Sequence, residues 1–483
     1  MLLNIFRYYL DASPRLWPRL VHICRKWRHI VFTSQQALHL RLFCSSGTPV
    51  LKTLDRWPPL PIVLEYGSSL ALDPPSPEDE VNIIAALKRS DRVSSISLTV
   101  TTSLLDKLYA IERPFSELKD LILLSRDSVP LALLSSFECG PQLRRLHLTR
   151  ITFPALLRLL YCSRNLIDLR LHEALNSWYF TMEELTNALS GMAQLRSLSL
   201  HFPPHAEHVS PPPPHYRRVV LPALTCLSFR GTAECLECFV LRIDAPRLVD
   251  IQVQVTLFNE SLIDLSRLGK FLDRIEMHKS YCDHQAHILS SKRAISITLT
   301  RRGAPTRLEL RLLNDSKSSE PLSVLPRILP HFSARFLNVE DLRISTAQPP
   351  SHEDTKQWLE LITSFTGVKW LHLDGNDSAN IAHAIQKADR QHKTVLPALH
   401  KLYLPQPRPP HASLSKAVLS FMTSRWRSGY FIVVEYERLY HLTRGPGTLH
   451  AVPLLLHYLI CLKQDLFLIR SESIIRYSVM TSF

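Results

Sequence analysis

Cys235 and Cys238 form a C-x-x-C pair, with Cys282, His284 and His287 downstream. Thiolates and imidazoles in that number could complete a tetrahedral zinc site. Leu236 and Phe239 are interleaved with the pair, however, and place it in an apolar repeat segment, so the cysteines read as structural thiols and no metal is expected. The 22 histidines bring some imidazoles near serines and carboxylates by chance. None stands in a nucleophile elbow, an H-E-x-x-H helix, a phosphate-binding loop or a dinucleotide fingerprint. Gly445-Pro446-Gly447 reads as a turn. No catalytic residue and no cofactor is therefore expected, and the sequence points to a binding module rather than an enzyme.

The composition agrees. A hydrophobic fraction of 45% against 21% charged residues supports a folded core rather than a largely disordered chain. Only 12 glycines stand against 34 prolines, so phosphate-cradling loops are scarce and rigid turns are plentiful. Nine cysteines, odd in number and scattered through 483 residues without a signal peptide, read as reduced thiols and imply a cytoplasmic or nuclear protein. The apolar stretch from Leu454 to Leu462 contains His457 and ends at Lys463. It falls well short of the ~20 residues that span a bilayer, so no membrane anchor is expected.

The formal charge is +14. A nucleic acid would reward clustered cations by counterion release, but clustering is confined to the N-terminus, where Arg7, Arg15, Arg19, Arg25, Lys26, Arg28, Arg41, Lys52 and Arg56 face only Asp11 and Asp55. An acidic protein surface explains that patch equally well, and a nucleic-acid partner is not expected.

The elements that must carry such a surface are repeats. Leucine-like residues recur at i, i+3 and i+5 in Leu118-Leu121-Leu123, Leu143-Leu146-Leu148, Leu166-Leu169-Leu171, Leu195-Leu198-Leu200, Leu224-Leu227-Phe229 and Leu248-Ile251-Val253. Later copies are Val339-Leu342-Ile344, Val368-Leu371-Leu373 and Leu399-Leu402-Leu404. The first six start 23–29 residues apart, which matches the strand of a leucine-rich repeat. Gly140-Pro141-Gln142, Leu221-Pro222-Ala223, Ala245-Pro246-Arg247 and Leu396-Pro397-Ala398 lead into four of them, with proline fixing φ ahead of the strand. Helices begin at Ser76-Pro77-Glu78-Asp79, Thr181-Met182-Glu183-Glu184 and Ser351-His352-Glu353-Asp354, each a hydroxyl cap followed by a carboxylate three residues on. The first of these leads into Val81, Ile84 and Leu87 as its apolar side. Strand then helix, repeated, gives an α/β solenoid with parallel inner strands. It is irregular: the closing Asn appears in one copy only, Asn376, and residues 294–313 alternate as a local hairpin. The tracts at Pro211–Pro214 and Pro407–Pro410 read as surface loops.

Residues 2–31 carry a helical apolar pattern of Leu3, Phe6 and Leu10, then Trp17, Leu20, Cys24 and Trp27, split by Ala12-Ser13-Pro14. The run Leu20-Val21-His22-Ile23-Cys24-Arg25-Lys26-Trp27-Arg28 resembles the second half of an F-box, and Leu3 to Leu10 resembles its first helix. The chain thus resembles the large fungal family of F-box proteins with degenerate leucine-rich repeats. That resemblance implies docking on a Skp-type adaptor of a cullin-RING ubiquitin ligase through Leu3, Ile5, Phe6, Leu10, Leu20, Cys24 and Trp27, with the repeats recruiting an unidentified target protein. The Leu-Pro opening of the family is absent ahead of Met1-Leu2, so the F-box reads as truncated and its docking as weak. A stand-alone repeat scaffold, with these residues covering the first repeat, is the alternative. The expected organisation is an all-helical F-box-like segment at 1–45, the solenoid at 46–440, and a cap or poorly ordered tail at 441–483.

Overall fold

The computed structural model describes the chain from Leu2 to Glu437 apart from connecting segments, the longest being 9–16, 67–74, 131–141, 174–180, 204–217, 258–263, 276–283, 315–323, 347–353, 375–380, 386–394 and 406–411. Sixteen of its strands form one sheet: β1 (Leu40–Phe43), β2 (Ile62–Tyr66), β3 (Val93–Val100), β4 (Asp120–Pro130), β5 (Arg145–Thr152), β6 (Asp168–His172), β7 (Ser197–His201), β9 (Cys226–Gly231), β11 (Asp250–Leu257), β12 (His284–Ser291), β13 (Ala294–Arg301), β14 (Arg307–Asn314), β15 (Val339–Thr346), β16 (Trp370–Asp374), β17 (Lys401–Pro405) and β18 (Val433–Glu437). The short pair β8 (Val219–Val220) and β10 (Ile243–Asp244) stands apart. Helices cover one face of the sheet and leave the other open.

Each repeat is built the same way. A four-residue turn delivers its first leucine: Leu224, Leu248 and Leu399 donate their amides to Leu221, Ala245 and Leu396, with Pro222, Pro246 and Pro397 at the second turn position, where a fixed φ suits the geometry. The carbonyl after that leucine then accepts two amides from the following repeat. Lys119, Arg144, Ile167, Arg196 and Thr225 do this in succession, at 2.7–3.1 Å. Through the leucine positions the register holds, so Leu121, Leu146, Leu169, Leu198, Leu227 and Ile251 stand side by side across six strands, and it shifts only beyond Leu124 between β4 and β5. Every residue of the nine leucine triads is buried, in a single cluster. At ~1.5–3 kcal/mol per buried side chain, these rows are the main favourable contribution to the fold.

The hairpin at 294–313 is part of the same sheet. β13 runs antiparallel to both β14 and β12, while β14 is parallel to β11 and β12 parallel to β15. The spatial order β11-β14-β13-β12-β15 therefore reverses the chain order of three strands. The third strand of this insert, β12, has no leucine triad and was not anticipated. Two further expectations need correction. Val81 is 63% exposed, and the helix Pro77–Leu87 instead buries Ile83, Ala86 and Leu87, because Glu80 turns inward to accept hydrogen bonds from Thr101 and Ser103 and to pair with Lys107. The sheet also opens with β1 inside the segment expected to be all-helical. The capping boxes at Ser76 and Thr181 form as expected. Ser351, Asn376, both proline tracts, Gly445–Gly447 and the tail at 441–483 lie outside the described residues.

Part of the cationic excess is spent inside the array. Arg92 donates to the carbonyl of Leu60, Arg274 to those of Val240 and Ile243, and buried Arg425 to those of Val395 and Leu396. Each guanidinium thereby satisfies carbonyls about one repeat earlier in the chain. Glu237, on the helix Ala233–Arg242, does the converse by accepting the amides of Arg267 and Leu268 at 2.9 and 2.8 Å. Those amides open the helix Ser266–Asp273, whose own cap residue supplies no side-chain bond.

Leu146 is fully buried in the middle of a leucine row. Leu146→Asp should cost ~3 kcal/mol or more, because a carboxylate there has no partner. A thermal melt close to that of the unsubstituted chain would show that β5 is not a core strand.

Candidate functional site

The C-x-x-C pair lies on the helix Ala233–Arg242. The Thr232 side chain caps that helix by accepting the Cys235 amide, and Arg242 donates to the Cys238 sulfur at 2.8 Å. Both thiols are buried, and burial pushes both above their ordinary range. Cys282 lies outside the described residues. His287 sits on the open face of the sheet, 3.1 Å from the Ser345 hydroxyl, on the opposite side from this helix. No cluster of three metal-ligating side chains occurs among the described residues. The pair is a packing element of the helical layer.

At the N-terminus, residues 4–6 are helical, a 3-10 turn covers Trp17–His22, and a helix covers Arg25–Thr33. Cys24 is therefore not inside a continuous helix: its backbone is extended, and its sulfur accepts the Trp27 amide as an N-cap. Arg28 ties the helix to the preceding turn through the Val21 carbonyl at 3.0 Å. Phe6 is fully buried and meets the Trp27 ring edge-on at 4.8 Å; Leu20 is buried as well. Ile5 and Cys24 are exposed, and Leu3 and Leu10 lie outside the described residues. The exposed apolar surface of this segment is Ile5 at 47%, Tyr8 at 79% and Ile23 at 58%. Arg19, Arg25, Lys26 and Arg28 are exposed beside it.

The other concentration of functional side chains is on the open sheet face, at the positions two, four and six residues after each leading leucine. Arg145 binds Asp120 through two hydrogen bonds of 2.6 and 2.8 Å. His147 meets Asp168 at 2.8 Å, and Arg170 meets the same carboxylate at 3.2 Å. Burial alone would raise the Asp168 carboxyl, but the bonds from His147 and Arg170 outweigh it and hold it at about 2. One row further along, His172 and His201 stack in parallel planes 3.8 Å apart. Burial, then His172 and Arg230, lower His201 to about 4, and burial with Arg170 lowers His172. At neutral pH the His201 ring is uncharged, and the His172 ring is biased the same way. His372 repeats the motif on β16, with Asp341 at 3.2 Å and Tyr403 stacked at 4.1 Å.

His172 also lies 2.9 Å from the Ser199 hydroxyl, a distance at which a serine could pass its proton to a base. A general base must have its imidazolium stabilised. Here burial and the neighbouring Arg170 disfavour the charged form of His172. None of these open-face residues was singled out from sequence, because they belong to separate repeats and become neighbours only through the register.

No family model and no curated protein matches the chain. Among the solved structures similar to it are two leucine-rich-repeat proteins. One is the leucine-rich repeat-containing protein LegL7 from Legionella pneumophila, at 10% identity and a TM-score of 0.28, covering 71% of this chain and 91% of that one. The other is the LRR protein LIC12759 from Leptospira interrogans, at 11% identity and a TM-score of 0.29, covering 83% and 90%. At that overlap the fold assignment stands on the strand register and turn chemistry of this chain itself, which are those of an irregular leucine-rich-repeat solenoid. Among the described residues no helix is long and apolar enough to cross a membrane.

Acid should loosen the open face in two stages. A histidine held below its ordinary value contributes stability that is present above about 6.5 and lost as pH falls toward 4. Asp168 contributes stability present above its unfolded value and lost as pH falls through about 2. Urea unfolding at stepped pH should therefore show a shallower acid limb between pH 6.5 and 4 for His201→Phe, which keeps the stack without titrating. Superimposable limbs for the two proteins would mean that His201 is not buried as a neutral ring.

Proposed function

We propose that this chain is a protein-interaction scaffold of the F-box type: its N-terminal helices dock on a Skp-type adaptor of a cullin-RING ubiquitin ligase, and the open sheet face of its repeats recruits a target protein. The observation that carries the adaptor reading is the division of apolar side chains in residues 2–31. Phe6 and Leu20 turn inward with Trp27 packed on them, while Ile5, Tyr8 and Ile23 face outward beside exposed cations. A helical surface docks through such anchors, and flanking cations steer it toward an acidic partner. Of the residues assigned to the adaptor from sequence, Phe6, Leu20 and Trp27 act as support, and Ile5 and Cys24 are left as contacts. A second reading has its own observation. Phe6, Leu20 and Val31 belong to the same buried cluster as the leucine rows, as they would if this segment only covered the first repeat of a stand-alone scaffold.

The two readings separate in a pull-down of a purified Skp-type adaptor. Under the F-box reading the chain captures the adaptor in a salt-sensitive manner, and the double variant Ile5→Glu, Ile23→Glu loses capture by roughly tenfold or more while keeping its melting temperature. Trp27→Ala weakens capture and lowers the melting temperature together. Absence of capture by the unsubstituted chain at low salt leaves the stand-alone scaffold as the function.

A further inference from the structure

Ion pairing on the open face is uneven. Toward the N-terminal end, Arg145 is matched by Asp120, Arg170 and His147 by Asp168, and Arg150 by Glu173. Further along, Arg307 is matched by Glu309, His372 by Asp341 and Lys401 by Glu435. Between these zones the charges do not close. Arg230 on β9 and Arg311 on β14 are exposed, and neither has a hydrogen-bond or ion-pair partner among the described residues. They share one row: His201 is in register with Arg230, Arg230 with Gln254, and Gln254 with Arg311.

Adjacent strands are ~4.8 Å apart, which sets the bases of the two arginine side chains ~10 Å from each other with an amide between them. In the neighbouring row Ser199 and Ser228 are small, which leaves room beside Arg230. The carboxylates nearby are engaged, Asp168 by His147 and Arg170, Asp250 by Gln252, and Glu309 by Arg307.

Resting on the reading of the open face as the recruiting surface, we infer that Arg230, Gln254 and Arg311 form a recognition strip for an acidic polypeptide segment presenting two carboxylates ~10 Å apart on one side. A guanidinium binds a carboxylate through two parallel hydrogen bonds, so an unmatched pair at fixed spacing selects both charge and distance. A polyproline II segment with an acidic residue at every third position has that spacing, because three residues advance it by ~9.3 Å and return the side chain to the same side. A continuous polyphosphate chain fits less well, because its charge is continuous rather than spaced at the ~10 Å between the two guanidiniums.

The probe is a fluorescein-labelled peptide of Glu-Pro-Pro repeats, titrated into the full chain and followed by fluorescence anisotropy. Its competitors are a peptide of the same composition with the glutamates clustered, and a single-stranded oligonucleotide. The expected result is that Arg230→Glu, Arg311→Glu weakens binding of the spaced peptide by tenfold or more. Lys88→Glu, Arg89→Glu makes the same charge change on the helical side and should leave binding within twofold. The clustered peptide should compete poorly. Equal losses in the two double variants, or equal competition by the clustered peptide, would reduce the effect to net charge and overturn the inference. An oligonucleotide that binds more tightly than the spaced peptide and is lost with the same arginines would overturn it in favour of a nucleic-acid site. Adaptor capture does not involve Arg230 or Arg311, so failure here with capture intact sinks the strip alone, while failed capture with the strip intact sinks the F-box reading and leaves the stand-alone scaffold.

Discussion

The whole array hangs on one hydrogen-bonding arrangement, the carbonyl that accepts two amides from the next repeat. It recurs at Lys119, Arg144, Ile167, Arg196 and Thr225, and again at Lys369. Two donors on one acceptor pin each new strand both laterally and along its length. Because side chains alternate across a strand, a slip of one residue would send every leucine to the solvent side. The backbone junction and the buried rows therefore enforce one another: the junction sets the register, and the register brings Leu121, Leu146, Leu169, Leu198, Leu227 and Ile251 into a continuous core row. No single repeat has enough apolar surface to stand alone, so stability is a property of the stack.

That coupling explains what the sequence revealed. The leucine triads were legible because burial on one side of a strand imposes a spacing that any reader can see, and all nine were placed correctly. The turns were legible through their prolines. The helix Pro77–Leu87 was read with its apolar side rotated, since Val81 competes with Ile83 and Ala86 while Leu87 fits either side, and the tie is broken only by Glu80 finding Thr101, Ser103 and Lys107. The strand β12 was missed because His284–Ser291 is half polar and carries no leucine triad, although its antiparallel partner β13 follows it directly in the chain. The open-face cluster was invisible for a related reason. His147, Asp168, His172, Ser199 and His201 come from three repeats, and nothing in their own spacing says which of them share a row. Projecting the positions two, four and six residues beyond each leading leucine onto the register would have found them.

The charge of the chain takes on a different meaning once located. Arginines that a composition reading would assign to a polyanion include Arg92, Arg274 and Arg425, which hold carbonyls of earlier segments inside the stack. Others are matched across strands by acids of neighbouring repeats. The surfaces proposed for partners are local: the N-terminal helices with their exposed Ile5, Tyr8 and Ile23, and the unmatched pair on β9 and β14. Part of a large net charge is thus neutralised where it is built.

The reversed insert β12-β13-β14 has a consequence for how the molecule comes to be folded. Up to β11 each strand can be laid on its predecessor as soon as it exists, so contacts are short in sequence and a growing chain could assemble repeat by repeat. After β11 that route is closed, because the next strand in space is β14 and not β12. The chain must complete a three-stranded antiparallel unit before the first half acquires its neighbour, and only then does β12 offer an edge to β15. Pairings of greater sequence separation carry a larger loop-closure cost and form more slowly. The array is consequently two zippers joined by one knot of non-local contacts, with β11 left as an unpaired edge during synthesis until residues near 314 have emerged.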